Sequence, residues 1–190
     1  MIKTLLENEI EEHIQTLLKI DACFISTFNE VVDQIYNCVK NNKTIFWCGN
    51  GGSTSDSNHL SAELIGRYDK VRRPIKSISL PTNPSIATCI SNDFGYDEIF
   101  ARELEGLGSE NDILVGISTS GKSQNVIKAM KIARKLNMKT IGLLGRDGGD
   151  IKKYCDHKLI VPSLSTARIQ ETHILLGHVI CKILEEKLGF

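Results

Sequence analysis

Apolar residues recur along this chain with two different periods, and the change from one to the other outlines a fold. From residue 2 to residue 20, Ile2, Leu5, Leu6, Ile10, Ile14, Leu17 and Leu18 are spaced as one face of a helix. Phe24, Phe28, Val31, Val32, Ile35 and Val39 repeat that spacing in a second helix. Two helices therefore precede the first strand, an N-terminal helical hairpin that either packs on a core or forms the seam of an oligomer, with assembly the favoured role. Beyond Lys43 short β-rich or apolar runs take over, at 44–48, 75–80, 113–118, 140–145 and 158–161. Helical sequence follows most of them, at about 53–66, 84–91, 123–136 and 166–188, with only a short turn near 149–154 after the fourth.

Alternation of this kind implies an α/β fold: a three-layer, doubly wound, five-stranded parallel sheet with helices on both faces. Such a sheet commonly takes the flavodoxin-like order 2-1-3-4-5 and binds ligands at its switch point, beyond the carboxyl ends of strands one and three. Linkers, low-complexity segments and internal repeats are missing from the sequence. Residues 1–190 therefore read as one domain, with N-terminal helices in 1–41 and the α/β core in 43–190.

Composition narrows the function classes. With 41% hydrophobic and 24% charged residues the chain is globular, and with 23 Lys+Arg against 23 Asp+Glu it has no net field to recruit nucleic acid or an acidic membrane. An anion must be held by local geometry. The six cysteines show no C-x-x-C pairing and sit mostly in apolar runs, as reduced cytoplasmic thiols do. The first residues are amphipathic and acidic rather than a basic segment before an apolar run, and no apolar stretch reaches the roughly 18 to 20 residues of a membrane span. A cytoplasmic protein is expected.

The stretch 43–66, KTIFWCGNGGSTSDSNHLSAELIG, organises the rest. After the first strand, Gly49-Asn50-Gly51-Gly52 makes a turn that tolerates positive φ and close approach of a ligand. Ser53, Thr54 and Ser55 then open a helix whose N–H groups and dipole suit an anionic oxygen, so a phosphate is expected here. His59 and Glu63, four residues apart, share one face of that helix within about 6 Å, as a metal-ligand or acid/base pair would. After the third strand, Ser118-Thr119-Ser120-Gly121-Lys122-Ser123 places four hydroxyls at another helix start, a second oxyanion cradle; helix capping by Ser120 or Ser123 is the plain alternative. Neither loop has Walker or G-x-G-x-x-G spacing, which disfavours nucleotides. Ser91-Asn92-Asp93-Phe94-Gly95 closes a helix in turn-forming residues. In the last helix His173 and His178 lie about 60° and 80° to either side of Gln170, so helical geometry leaves open which histidine partners it.

A series of separated motifs, Cys48-Gly49-Asn50-Gly51-Gly52-Ser53 with His59 and Glu63, Asn92-Asp93-Phe94-Gly95, Ile117-Ser118-Thr119-Ser120-Gly121, and Arg168-Ile169-Gln170-Glu171 with His178, together resemble the sugar isomerase (SIS) domain family, and within it the phosphoheptose isomerases. The resemblance covers essentially the whole chain. It implies isomerisation of sedoheptulose 7-phosphate to D-glycero-D-manno-heptose 7-phosphate through an enediol, the first step toward activated heptose for lipopolysaccharide or another surface polysaccharide. It implies a homotetramer with active sites near subunit interfaces, and one zinc per subunit held by His59, Glu63, Gln170 and His178, which selects His178 over His173. It places Asn50, Gly51, Gly52, Ser53, Glu63, Asn92, Asp93, Ser118, Thr119, Ser120, Ser123 and Gln170 around the sugar phosphate, and it puts Arg67 near a subunit boundary. Ala167 stands where some members carry aspartate, so that carboxylate's role is not carried over.

The implied chemistry suits these residues. Moving a proton between C1 and C2 needs a base, an acid and a positive centre for the developing oxyanion. Glu63 and His178 are assigned as the acid/base pair, with zinc polarising the carbonyl and hydroxyl. The competing reading is a non-catalytic SIS scaffold resembling a DnaA-binding replication regulator. A third is a sugar-phosphate sensor that would keep the loops and dispense with the pair. The presence of both Glu63 and His178 favours the enzyme.

Overall fold

In the computed structural model, which describes residues 2–81 and 83–190, five parallel strands form one sheet in the order β2-β1-β3-β4-β5. The strands are β1 (Ile45–Gly49), β2 (Ser77–Leu80), β3 (Ile113–Ser118), β4 (Lys139–Gly145) and β5 (His157–Val161). Every residue of β1 and β3 is buried, as required of strands covered on both faces, and their side chains divide by the two-residue pleat. Ile45, Trp47, Ile113, Val115 and Ile117 pack on one side, while Phe46, Cys48 and Leu114 pack on the other.

The first side is covered by α2 (Ala22–Lys40), α3 (Gly52–Ile65) and α7 (Thr166–Lys187), the second by α4 (Pro84–Phe94), α5 (Ile99–Leu107) and α6 (Gln124–Lys135). Local chemistry sets several boundaries. Asp21 caps α2 by accepting from the Phe24 amide at 2.8 Å, and Asn83 caps α4 ahead of Pro84, whose missing N–H costs nothing at that position. Inside the sheet the Trp47 indole donates to the Ser77 hydroxyl at 2.9 Å, satisfying the one polar atom of a fully buried ring.

The sequence reading passes over α5 and the 3₁₀ turn Tyr96–Glu98 before it; a nine-residue amphipathic segment between glycines carries too little periodicity to stand out. The two N-terminal helices exist as read. α1 (Ile2–Leu18), however, is anchored to α7, where Arg168 meets Glu9 at 2.8 Å and Glu12 at 3.5 Å and His13 meets Glu171 at 2.7 Å. Much of its apolar stripe, Ile2, Leu5, Leu6, Ile10 and Leu18, stays exposed. Four cysteines are buried as expected, but Cys23 and Cys89 are exposed. No helix among the described residues is long and apolar enough to cross a membrane.

Candidate functional site

β1 and β3 are neighbours and run the same way, so the loops that leave their carboxyl ends open side by side. In the first loop Gly51 sits at φ 56° and caps α3 with no side chain. A Cβ there would force an L residue into the left-handed region. The amides of Ser53 and Thr54 turn back onto the carbonyls of Asn50 and Gly51, while those of Gly51 and Gly52 take no partner among the described residues. Gly52 has a separate reason to be glycine: the Gln170 carboxamide of α7 lies where its Cβ would be.

In the second loop the hydroxyls of Ser118 and Ser123 bond to each other at 3.1 Å, Ser118 Oγ accepts from the Gly121 amide at 3.1 Å, and Ser120 Oγ accepts from the Lys122 amide at 3.2 Å. Ser123 is the N-cap residue of α6, yet its side chain makes no capping bond. The capping alternative thus does not describe how these hydroxyls are used. Gly121, at φ 65°, is pressed against the backbone of Gly148 and Gly149, which buttresses the loop from below.

A reciprocal amide pair ties the loops together. Asn50 Nδ2 donates to Asn125 Oδ1 at 2.9 Å, and Asn125 Nδ2 donates to Asn50 Oδ1 at 2.8 Å. The Tyr96 hydroxyl donates to the same Asn50 oxygen at 2.8 Å, and the Val126 amide to Asn125 Oδ1 at 2.9 Å. Sequence reasoning missed both Asn125 and Tyr96. The available signal was an asparagine, a poor helix former, at the second position of α6. Asn92 and Asp93 are not drawn into this network: at the exposed end of α4 they bond to each other at 2.8 Å, and it is Tyr96, beyond the Gly95 turn, that reaches the loop.

α3 and α7 carry the remaining chemistry and lie in close contact where a Cβ on Gly177 would collide with the Leu60 side chain. Three groups converge one turn on. His59 Nε2 is 3.1 Å from Glu63 Oε1 and 3.5 Å from His178 Nε2, the two rings meet edge to face at 4.9 Å, and Tyr68 lies beside His178 at 5.6 Å. One ligand atom from each of the three lies within 4.8 Å of the others. His173 is excluded from this group. It is fully buried on the other side of α7 and its Nε2–H donates to the Leu144 carbonyl at 3.0 Å; burial pushes its pKa down to about 4 against the opposing effect of that bond.

Gln170 lies on α7 eight residues before His178, about 12 Å along the axis, with its carboxamide against Gly52 of the glycine loop. Between that loop and His59 sits Asp56, 8% exposed, with Oδ2 lacking any partner among the described residues. Burial pushes its pKa up to about 6, opposed by the nearby His59. Asp56, Ala167, Gln170, Glu171 and Ile174 line a cavity of about 290 Å³. Two larger clefts of about 510 Å³ lie elsewhere, one at the opposite end of the sheet beside Lys43 and Lys139 and one between α1 and α7. Neither holds a comparable cluster of ligating side chains.

The chain therefore carries two adjacent loops suited to an anion and, further along α3 and α7, a carboxylate and two imidazoles suited to proton transfer or to a metal. Residues 10–145 match the model of the SIS domain family. The chain is 48% identical to a phosphoheptose isomerase of a Nitratiruptor species, covering 92% of this chain and 98% of that protein, and 47% identical to one of Aliarcobacter butzleri, covering 99% and 100%. It superposes with a TM-score of 0.92 on the structure of a phosphoheptose isomerase from Neisseria gonorrhoeae, at 36% identity over 98% of this chain and all of that one.

Proposed function

Because the chain belongs to the phosphoheptose isomerases of the SIS domain family, we propose that it is a sugar-phosphate isomerase acting on sedoheptulose 7-phosphate and releasing D-glycero-D-manno-heptose 7-phosphate. The observation that carries the reading is the meeting of Glu63 and His178, from two different helices, in a chain whose β1 and β3 also open into two adjacent loops. A scaffold has no physical need for that pairing.

In this reading the phosphate is held by the hydroxyls of Ser118, Thr119, Ser120 and Ser123, and the amides of Gly51 and Gly52 with the side chains of Asn50 and Ser53 take sugar oxygens. Gln170 reaches the sugar from beside the glycine loop; Asn92 and Asp93 border it from the end of α4. Glu63 removes the proton from C1 of the ketose while His178 supplies one to the carbonyl oxygen at C2, giving the enediol; return of the proton from Glu63 to C2, as the C1 hydroxyl gives its proton back to His178, yields the aldose. Glu63 has an oxygen for this work, since Oε1 faces His59 while Oε2 takes no partner among the described residues.

The donor set fits zinc. His59, Glu63 and His178 offer two nitrogens and an oxygen close together, and three protein ligands with an open fourth position are the pattern of catalytic zinc. One zinc per subunit would be held by these three, with Gln170, the remaining member of the expected ligand set, as the candidate for the fourth position. When bound it supplies a positive centre that polarises the reacting carbonyl and hydroxyl.

The enzyme is proposed to act in the cytoplasm as a homotetramer with its sites near subunit boundaries. Exposed Leu5, Leu6 and Ile10 on α1 and Leu175 and Val179 on α7 offer an apolar face for assembly, and the His59 side chain is 49% exposed in the single protomer. The test is to incubate purified protein with sedoheptulose 7-phosphate, after chelation and again with zinc restored, and to follow the aldoheptose 7-phosphate by NMR. Product is expected and should depend on zinc. Its absence under both conditions, with a native circular dichroism spectrum, would leave the scaffold reading standing.

A further inference from the structure

We propose that Arg72 and Glu185 are positioning residues for this reaction: a buried ion pair that fixes the last turn of α3, and Glu63 with it, against α7. The proposal rests on the assignment of Glu63 and His178 as the reacting pair.

Glu63 stands two residues before the end of α3, where the last carbonyls have no intrahelical donor and helices fray. Arg72 supplies those donors from the following loop. Its Nη2 donates to the Glu63 carbonyl at 2.7 Å and its Nη1 to the Leu64 carbonyl at 2.8 Å. Its Nε donates to Glu185 Oε1 at 2.9 Å, with both side chains almost fully buried, at 1% and 2% exposed. The guanidinium fork thus joins the backbone of the proposed base to a carboxylate on the helix that carries His178, two turns further along.

Glu185 has every reason to stay ionised there. Burial pushes its pKa up, but the amides of Lys70, Asp69 and Tyr68 and the Arg72 guanidinium together hold it below the usual range. Those three amides donate at 3.0 to 3.1 Å and fold the 68–70 segment onto α7, which sets Tyr68 beside His178. One buried pair therefore locates three side chains of the site, and it touches neither substrate nor metal. Breaking such a pair is costly because the partner left behind is buried and charged.

The decisive variant is Arg72→Lys, which keeps the charge but cannot span one carboxylate and two carbonyls. Hydrogen exchange at the amides of Glu63, Leu64 and Ile65, which needs neither substrate nor zinc, should quicken about tenfold or more. Turnover should show kcat reduced by about tenfold or more with KM for the sugar phosphate changed less than about threefold. Leu104→Val, which loosens the opposite face of the sheet, should lower the melting temperature and leave kcat as it was. Unchanged protection of residues 63–65, or kcat within about twofold of the parent in folded Arg72→Lys, would overturn the proposal. If Arg72→Lys does not fold, the apolar double variant Arg72→Met with Glu185→Leu is read by the same two criteria. If the parent protein itself has no isomerase activity, the functional reading fails, and the exchange data alone decide whether the pair fixes α3.

Discussion

The α3–α7 contact can be tested by adding a single methyl group. In Gly177→Ala the new Cβ would lie 2.6 Å from Leu60 Cδ1 and 3.0 Å from its Cγ, whereas carbon atoms rest about 3.6 Å apart. Leu60 is fully buried, so the helices must part by about 1 Å or Leu60 must leave its rotamer. Overpacking of this kind costs about 1 to 3 kcal/mol, set against about 1 kcal/mol gained from alanine's better helix propensity. Stability alone should therefore fall by no more than about 2 kcal/mol. Activity is the sensitive readout, because Gly177 precedes His178 and a displacement of about 1 Å between reacting groups can cost about a hundredfold. Leu60→Ala alone should cost about 2 to 5 kcal/mol as a cavity. Adding it to Gly177→Ala should return space to the new methyl, so the double variant should be more stable than the sum of the singles by about 1 to 3 kcal/mol and should recover turnover. Urea unfolding and kcat/KM on the four proteins of the cycle would decide. Additivity within about 0.5 kcal/mol, with parental turnover in Gly177→Ala, would show that close approach of the helices does not set the site.

Asp56→Asn tests burial of the orphaned carboxylate. Its folded pKa, raised from 3.8 to about 6, means that the native state loses stability as pH climbs through that window, by up to about 3 kcal/mol at pH 8. The variant should be more stable than the parent in urea melts at pH 8 and close to it at pH 4; a difference that ignores pH would reject the burial argument. Asn125→Ala strips Asn50 and the Val126 amide of partners and should cost about 2 to 3 kcal/mol, read by thermal unfolding. Ser120→Ala should raise KM for the sugar phosphate about tenfold with kcat nearly unchanged; an unaltered KM would confine that hydroxyl to its turn bond with Lys122.

The sheet was legible because alternating periods and buried β-rich runs report layer structure directly, and the strand order followed from parallel connection rules. The two loops were legible as turns leading into helices because glycine and serine clusters after buried runs favour turns and helix starts. The choice between His173 and His178 was not legible, since a helical wheel does not say which side faces the sheet; the Leu144 carbonyl decides it. The grouping of Gln170 with His178 came from the family resemblance, since the angle around the helix leaves both histidines open. Asn125, Tyr96, Arg72 and Glu185 act through partners distant in sequence, and no local pattern announces such partners.

The adjacency of β1 and β3 also bears on how the site comes into being. Ile45 pairs with Ile113, and the Asn50–Asn125 bonds close a loop of similar length, so the native contacts that matter here are non-local. Chains with high contact order must meet the entropy of long loop closure before those contacts reward it, and they fold slowly. Neither of the two loops has its partner until the central strands have zipped together, so any affinity for a ligand that spans them should emerge late and all at once. A ligand that spans both loops would then select the finished topology, adding about 2.7 kcal/mol of native stability at a hundred times its dissociation constant.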